Sequence, residues 1–123
     1  MKTRLIVPAL LAGLVLAAST QTLFAWGAIA VDDEPGLDPD SIGYGIISGY
    51  AIETEAINDA IDACKDEGNE DCRIVLVFRK CGAYAASTYN YGVGTAQTLR
   101  EAERQALASC GLRECWVIVS DCD

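Results

Sequence analysis

Six cysteines and 18 carboxylates are the reactive side chains of this sequence, and histidine is missing from it. Without imidazole the commonest general base and metal ligand is lost, and no Ser–His or Cys–His nucleophile can be assembled. The cysteines stand at positions 64, 72, 81, 110, 115 and 122. Seven residues separate Cys64 from Cys72 and four separate Cys110 from Cys115, so neither pair makes the Cys-x-x-Cys of a thioredoxin-like redox site. Zinc would need these sulfurs as thiolates, and no metal or cofactor is expected of them. A pair of carboxylates can hydrolyse a glycoside, but among 18 some pair is bound to occur. Glu55 and Glu101 stand out only because they recur at matching places, and Glu101 is better read as a helix cap.

Two short stretches have compositions suited to binding. Asp32, Asp33, Glu34, Asp38 and Asp40 crowd together with Pro35, Gly36 and Pro39. Such a loop offers the oxygen ligands that Ca²⁺ favours, without the order of an EF-hand. A solvated connector and a contact surface for a partner are the other two readings. The second stretch is "STYNYG", residues 87–92. Tyr89, Asn90 and Tyr91 are residue types that adaptable binding loops use, although both tyrosines could equally be ordinary strand side chains. Gly92 and Gly94 in "YGVGTA" suggest a phosphate loop only faintly, because no Lys-Ser/Thr follows. A bent strand or close packing under a helix explains them better.

The elements that must position these residues come in two copies. "YGIISGYAIETEAINDAIDAC" ends at Cys64 and "YGVGTAQTLREAERQALASC" ends at Cys110. Aligned on those cysteines, Glu55 meets Glu101, Ala56 meets Ala102, Ala60 meets Ala106 and Ile61 meets Leu107. Ile52, Ala56, Ala60, Ile61 and Cys64 fall on one helical face, as do Leu99, Ala102, Ala106, Leu107 and Cys110. Thr98 with Glu101 fits a capping box, and Gly68 and Gly111 suit helix ends. Apolar strands follow each helix at Ile74–Phe78 and Trp116–Val119. Two further strands precede each helix: "WGAIAV" and "YGIISGY" in the first copy, "GAYAAS" and "YGVG" in the second. The fold class expected is α+β: two fused strand–strand–helix–strand repeats, residues 26–81 and 82–123, forming one sheet of about six strands with both helices on one face.

The start of the chain predicts export. Lys2 and Arg4 precede an apolar run over Ile6–Ala18, followed by polar residues and an acceptable cut after Ala25, although a cut after Ser19 would also fit. Residues 1–25 are thus expected to be a signal peptide, the run being short for a span of about 20 residues. The remaining chain, 26–123, is expected to be one domain of the periplasm or exterior, with no membrane contact after processing. An even cysteine count in a small exported chain implies three disulfides. The repeat makes Cys64–Cys72 and Cys110–Cys115 equivalent staples between a helix end and the next strand. Cys81 and Cys122, read as the ends of two equivalent strands, are left to tie one copy to the other; pairings such as Cys81 with Cys110 stay open.

"WGAIAVD", "GYGIISGYA", "DCRIVLVF" and the late "YGVG–T–EAE–AL–C" pattern occur together here. In this the chain resembles a family of small exported bacterial domains known only as a domain of unknown function. The resemblance spans the whole of 26–123. It implies a cysteine-bridged exported domain and supplies no catalytic residue. The acidic stretch "DDEPGLDPDSIG" departs from the family pattern.

Charge narrows the function classes. With Lys2 and Arg4 removed, seven basic residues face 18 acidic ones, a net charge of −11. Nucleic acid is excluded as a partner on that balance, and a basic protein is favoured. The expected function is a non-enzymatic binding module, in its sharpest form an inhibitor or immunity-type protein for a basic partner such as a cell-wall hydrolase. A secreted effector acting through protein binding and a carboxylate-only hydrolase are the alternatives.

Overall fold

The computed structural model describes residues 25–34 and 36–123; the expected leader lies outside them except for Ala25. The chain runs β1 (Trp26–Asp32), a 3-10 turn (Pro39–Ser41), β2 (Gly43–Tyr50), α1 (Glu53–Asp66) and β3 (Arg73–Phe78). It then repeats the order as β4 (Cys81–Ala86), β5 (Tyr91–Ala96), α2 (Leu99–Cys110) and β6 (Trp116–Cys122). Among the described residues no helix is long and apolar enough to cross a membrane.

The fold is α+β, but the expected single sheet is corrected. There are two three-stranded antiparallel sheets, ordered β2-β1-β3 and β5-β4-β6. The reason lies in the central strands. Along β1, Ile29 and Val31 alternate with Ala28 and Ala30, and all four are fully buried. The larger side chains meet Phe78, Tyr84, Ala86 and Val119 in a core between the sheets. The alanines meet Ala56, Ala60 and Cys64 of α1, and on the other side Ala83 and Ala85 meet Ala102, Ala106 and Cys110 of α2. One sheet covered on one face would leave the larger set in water. Stacking two sheets buries both sets, and the helices become opposite outer layers rather than sharing a face.

The buried stripe of each helix is narrower than its periodicity suggests. Ile52, Leu99 and Leu107 are exposed, Ile61 packs half-buried at the margin, and only the alanines and cysteines of the stripe are fully buried. Close approach is the cause. A Cβ on Gly45 would lie 2.3 Å from the backbone nitrogen of Cys64, and one on Gly92 would lie 2.2 Å from that of Cys110. Helix and strand backbones nearly touch, so bulky residues are displaced to the flanks. The start of α2 has half of a capping box: Thr98 Oγ1 accepts from the Glu101 backbone N–H at 3.2 Å, while the Glu101 carboxylate pairs with Arg104.

The bridges are Cys64–Cys72, Cys110–Cys115 and Cys81–Cys122. Strand register corrects the role expected of the last one. Gly27, Ala28 and Ile29 oppose Phe78, Val77 and Leu76, and Gly82, Ala83 and Tyr84 oppose Asp121, Ser120 and Val119, with a bulge at the same next step in both sheets. Cys81 therefore corresponds to Trp26, and Cys122 to Arg79. The repeat boundary falls between Arg79 and Cys81, and Cys81–Cys122 closes the second unit on itself instead of joining the two. Where the second unit has this disulfide, the first has the Arg79 guanidinium 4.3 Å above the Trp26 ring.

A candidate binding cleft at one end of the sandwich

Tyr44, Val31 and Arg73 lie in one row across the first sheet, and Tyr91, Ala86 and Trp116 form the matching row in the second. Stacking places β3 over β5 and β2 over β6. At this end of the sandwich Arg73 therefore meets Tyr91 on one edge, and Trp116 meets Tyr44 on the other. The β1–β2 connection, residues 33–42, crosses between the two edges and is anchored by Ile42, which is buried in the central core.

The Arg73 edge is a cleft of about 200 Å³. Its floor holds Ile42, Ala86 and the Tyr84 ring; Asp33 and Glu34 enter from the acidic loop, and Tyr89, Asn90 and Tyr91 from the β4–β5 turn. Arg73 Nη2 lies 3.0 Å from both Asp33 carboxylate oxygens. Tyr84 Oη donates to Asp33 Oδ2 at 2.6 Å. The Arg73 guanidinium carbon is 5.6 Å from the Tyr91 ring centre, and the Tyr91 and Tyr84 rings stack at 5.8 Å. The Asp33 side chain is only 10% exposed, whereas Tyr91 is 50% and Tyr89 82% exposed. The turn that presents Tyr89 is fixed by Ser87, whose N–H donates to the Asn90 carbonyl at 2.8 Å while its Oγ accepts from the Asn90 N–H. Asn90 Nδ2 reaches the Cys110 carbonyl at 3.2 Å and so ties the turn to the end of α2.

Burial, and then the bond to Asp33, push the Tyr84 phenol well above its ordinary pKa. For Arg73, burial alone would lower the pKa; the ion pair and hydrogen bond to Asp33 outweigh it, and the guanidinium is held more firmly protonated. Both Asp33 carboxylate oxygens are thus engaged, by Arg73 and by Tyr84.

The structure divides the residues singled out in the sequence. Asp33, Glu34, Tyr89, Asn90 and Tyr91 gather round this cleft. Asp32 turns just outside it, and its Oδ2 accepts from the backbone N–H groups of Glu70 and Asp71 at 3.2 and 3.3 Å. Carboxylate oxygens of Asp32, Glu34 and Asp71 lie within 4.8 Å of one another. Ca²⁺ takes six to eight oxygen ligands, and this trio supplies half of a shell at most. Asp38 is exposed at the start of the 3-10 turn. Asp40 goes to the opposite edge, beside Pro39, Tyr44 and Trp116. Gly92 and Gly94 lie beneath α2, where a Cβ on Gly94 would sit 2.2 Å from the Ala102 carbonyl oxygen. Arg73 and Tyr84 were missed. Their signal is a mismatch between the repeats: Tyr84 stands where the first unit has Ile29, and Arg73 where the second has Trp116.

Among solved structures, the NMR structure of Rv1813c from Mycobacterium tuberculosis resembles this fold with a TM-score of 0.51 and 24% identity, over 81% of this chain and 76% of that one. That likeness concerns the fold alone. No curated protein sequence matches the chain. The family described as "Domain of unknown function (DUF4189)" matches residues 26–122, from the first residue of β1 to the last of β6, and the chain belongs to that family.

Proposed function

We propose that this domain is a non-enzymatic, exported binding module whose tyrosine cleft and surrounding acidic end capture a basic protein. The observation that carries the reading is the convergence of two separate stretches. The acidic loop and the Tyr89–Tyr91 turn, some 50 residues apart in sequence, meet around one cleft with exposed aromatic rings and an acidic rim. Rigid aromatic anchors inside a polar rim are the usual anatomy of a protein-binding surface. Charge distribution supports the same partner class. Residues 26–80 hold 13 acidic and four basic side chains, and residues 81–123 hold five acidic and three basic ones. Most of the net charge of −11, namely −9, thus falls on the first unit, and a field of that sign speeds encounter with a basic partner. The engagement of Asp33 by Arg73 and Tyr84 favours binding over carboxylate chemistry. Three disulfides with no membrane-spanning helix among the described residues suit the periplasm or exterior. A basic cell-wall hydrolase restrained by this domain is the sharpest form of the proposal.

Affinity capture from periplasm and medium tests it, using the wild type beside Tyr89→Ala and Glu34→Gln. Both substituted residues are exposed, so folding is expected to be unaffected. Retention of a basic protein by the wild type, weakened by both substitutions, is the expected result. Retention that ignores both substitutions and also survives neutralising the rest of the acidic end, or that selects acidic proteins, contradicts the proposal.

A further inference from the structure

Taking the binding reading above as its premise, we infer that the cleft between Tyr89, Tyr91 and Glu34 is a subsite for one arginine or lysine side chain of the basic partner. The cleft already shows what it accepts. The chain's own Arg73 lies over the Tyr91 ring and against Asp33, so an aromatic face and a carboxylate hold a cation here. That internal pair consumes Asp33 and part of the Tyr91 ring, and leaves three surfaces open. Tyr89 presents an almost free ring at the mouth. Tyr91 is half exposed. The Glu34 carboxylate makes no hydrogen bond or ion pair with the described residues, and its neighbours Asp32 and Asp71 are also negative.

A flexible, unbranched, cationic side chain fits those three features together. Its methylenes would lie along the tyrosine rings, and its head group would reach Glu34. A cation over an aromatic face at an exposed site gains a few-fold in affinity, and an exposed carboxylate adds a similar factor. Both gains are small alone, so the subsite supplies specificity within a larger interface rather than tight binding by itself. An anionic ligand is opposed by Glu34, Asp32 and Asp71. A neutral sugar could stack on the rings but would leave those charges uncompensated.

NMR titration of the folded, oxidised domain tests the inference, with the signals of Glu34 and of residues 87–92 as the readout. The probes are a blocked Gly-Gly-Arg-Gly-Gly peptide, n-butylguanidinium, free arginine, methyl N-acetylglucosaminide and CaCl₂. The two guanidinium probes lacking a carboxylate should give saturable shifts in the millimolar range at Tyr89 and Tyr91. Free arginine should bind more weakly, because its own carboxylate is repelled. Tyr89→Ala should weaken peptide binding about threefold, following the cation–π contribution. Glu34→Gln should weaken it about threefold to fivefold, following the exposed ion pair. Trp116→Ala, in the opposite edge, should change nothing. The inference fails if the saccharide or Ca²⁺ shifts these residues and the guanidinium probes do not, or if free arginine binds more tightly than the peptide. Capture of a basic protein that ignores Tyr89→Ala, yet is abolished by neutralising the rest of the acidic end, would sink the subsite and leave the binding reading standing.

Discussion

Two edges at one end of the sandwich occupy corresponding positions in the repeat and hold opposite chemistry. On one, Arg73 opens β3 and lies over Tyr91 of the second unit. On the other, Trp116 opens β6 beside Tyr44 of the first unit, with Val117, Ile118 and Pro39. Each edge thus sets the first residue of a unit's last strand against a tyrosine of the other unit. The contrast arises from two differences: Arg73 against Trp116 at one position, and a first-unit connection of ten residues (33–42) against four (87–90) in the second. The longer connection delivers Asp33 to Arg73 and Asp40 to the opposite edge. The repeat provides the same frame twice, and the longer connection makes its two edges differ. The same divergence separates Cys81–Cys122 from the Trp26–Arg79 stack.

The largest expected effect tests that last pair. In the chain-entropy account, the Cys81–Cys122 bridge, with a sequence separation of 41, contributes about 4 kcal/mol. The double replacement Cys81→Ala with Cys122→Ala should lose most of that in chemical denaturation. Arg79→Ala, removing the equivalent non-covalent contact, should cost about 1 kcal/mol. Similar losses would show that covalent closure adds nothing special to the second unit.

Next come the helix–strand contacts, where the two units should behave alike. Gly45→Ala and Gly92→Ala each drive a methyl into a helix backbone, and overpacking of this kind costs about 3 kcal/mol or more. Thermal unfolding should show comparable losses for both. A tolerated Gly92→Ala beside a damaging Gly45→Ala would mean that α2 can move away and α1 cannot.

The two edges should differ in how they respond to losing a carboxylate. Asp33→Asn breaks a pair whose Arg73 partner is half exposed, so its cost should be about 2 kcal/mol, below the range for fully buried pairs. Asp40→Asn should stay within about 0.5 kcal/mol. Equal effects would dissolve the distinction between an engaged and a solvated acid.

Tyr84→Phe gives a smaller effect that depends on pH. The native phenol titrates above its ordinary range because of burial and the bond to Asp33, and the unfolded one ionises near pH 10. The protonated native form therefore contributes fully below about pH 10, and its stability is lost as pH rises beyond that. Tyr84→Phe should cost about 1.5 kcal/mol at neutral pH and should flatten the decline of stability in alkaline solution. Identical declines in variant and wild type would remove Tyr84 from this account.

Much of the secondary structure could be read before the fold was known, because the repeat doubles each local signal. The alanine-and-cysteine helices, the "WGAIAV" and "GAYAAS" strands and the pair Gly45 and Gly92 under the helices have counterparts 46 to 55 residues away. The layering was not legible. Ile29 and Val31 beside Ala28 and Ala30 say that β1 is buried on both faces, without saying whether a helix or a second sheet covers the larger set. The site was half legible. Composition points to Asp33, Glu34 and Tyr89–Tyr91 separately, but only the stacking of β3 over β5 brings them together. Arg73 and Tyr84 are invisible to composition because each is a single residue inside a strand.

The central claim is that binding belongs to the acidic end of the first unit, and the association rate of the captured basic partner is the measurement that reaches it most directly. Five acidic residues of the first unit whose carboxylates make no hydrogen bond or ion pair among the described residues should be neutralised together: Glu34→Gln, Asp38→Asn, Asp40→Asn, Glu67→Gln and Asp71→Asn. A second variant should neutralise Glu114, Asp121 and Asp123 in the second unit, and both should be followed against ionic strength. The account predicts association slowed about tenfold or more at low salt, with a flattened salt dependence, for the first variant alone. Equal rates for the two variants, or a wild-type rate indifferent to salt, would contradict it.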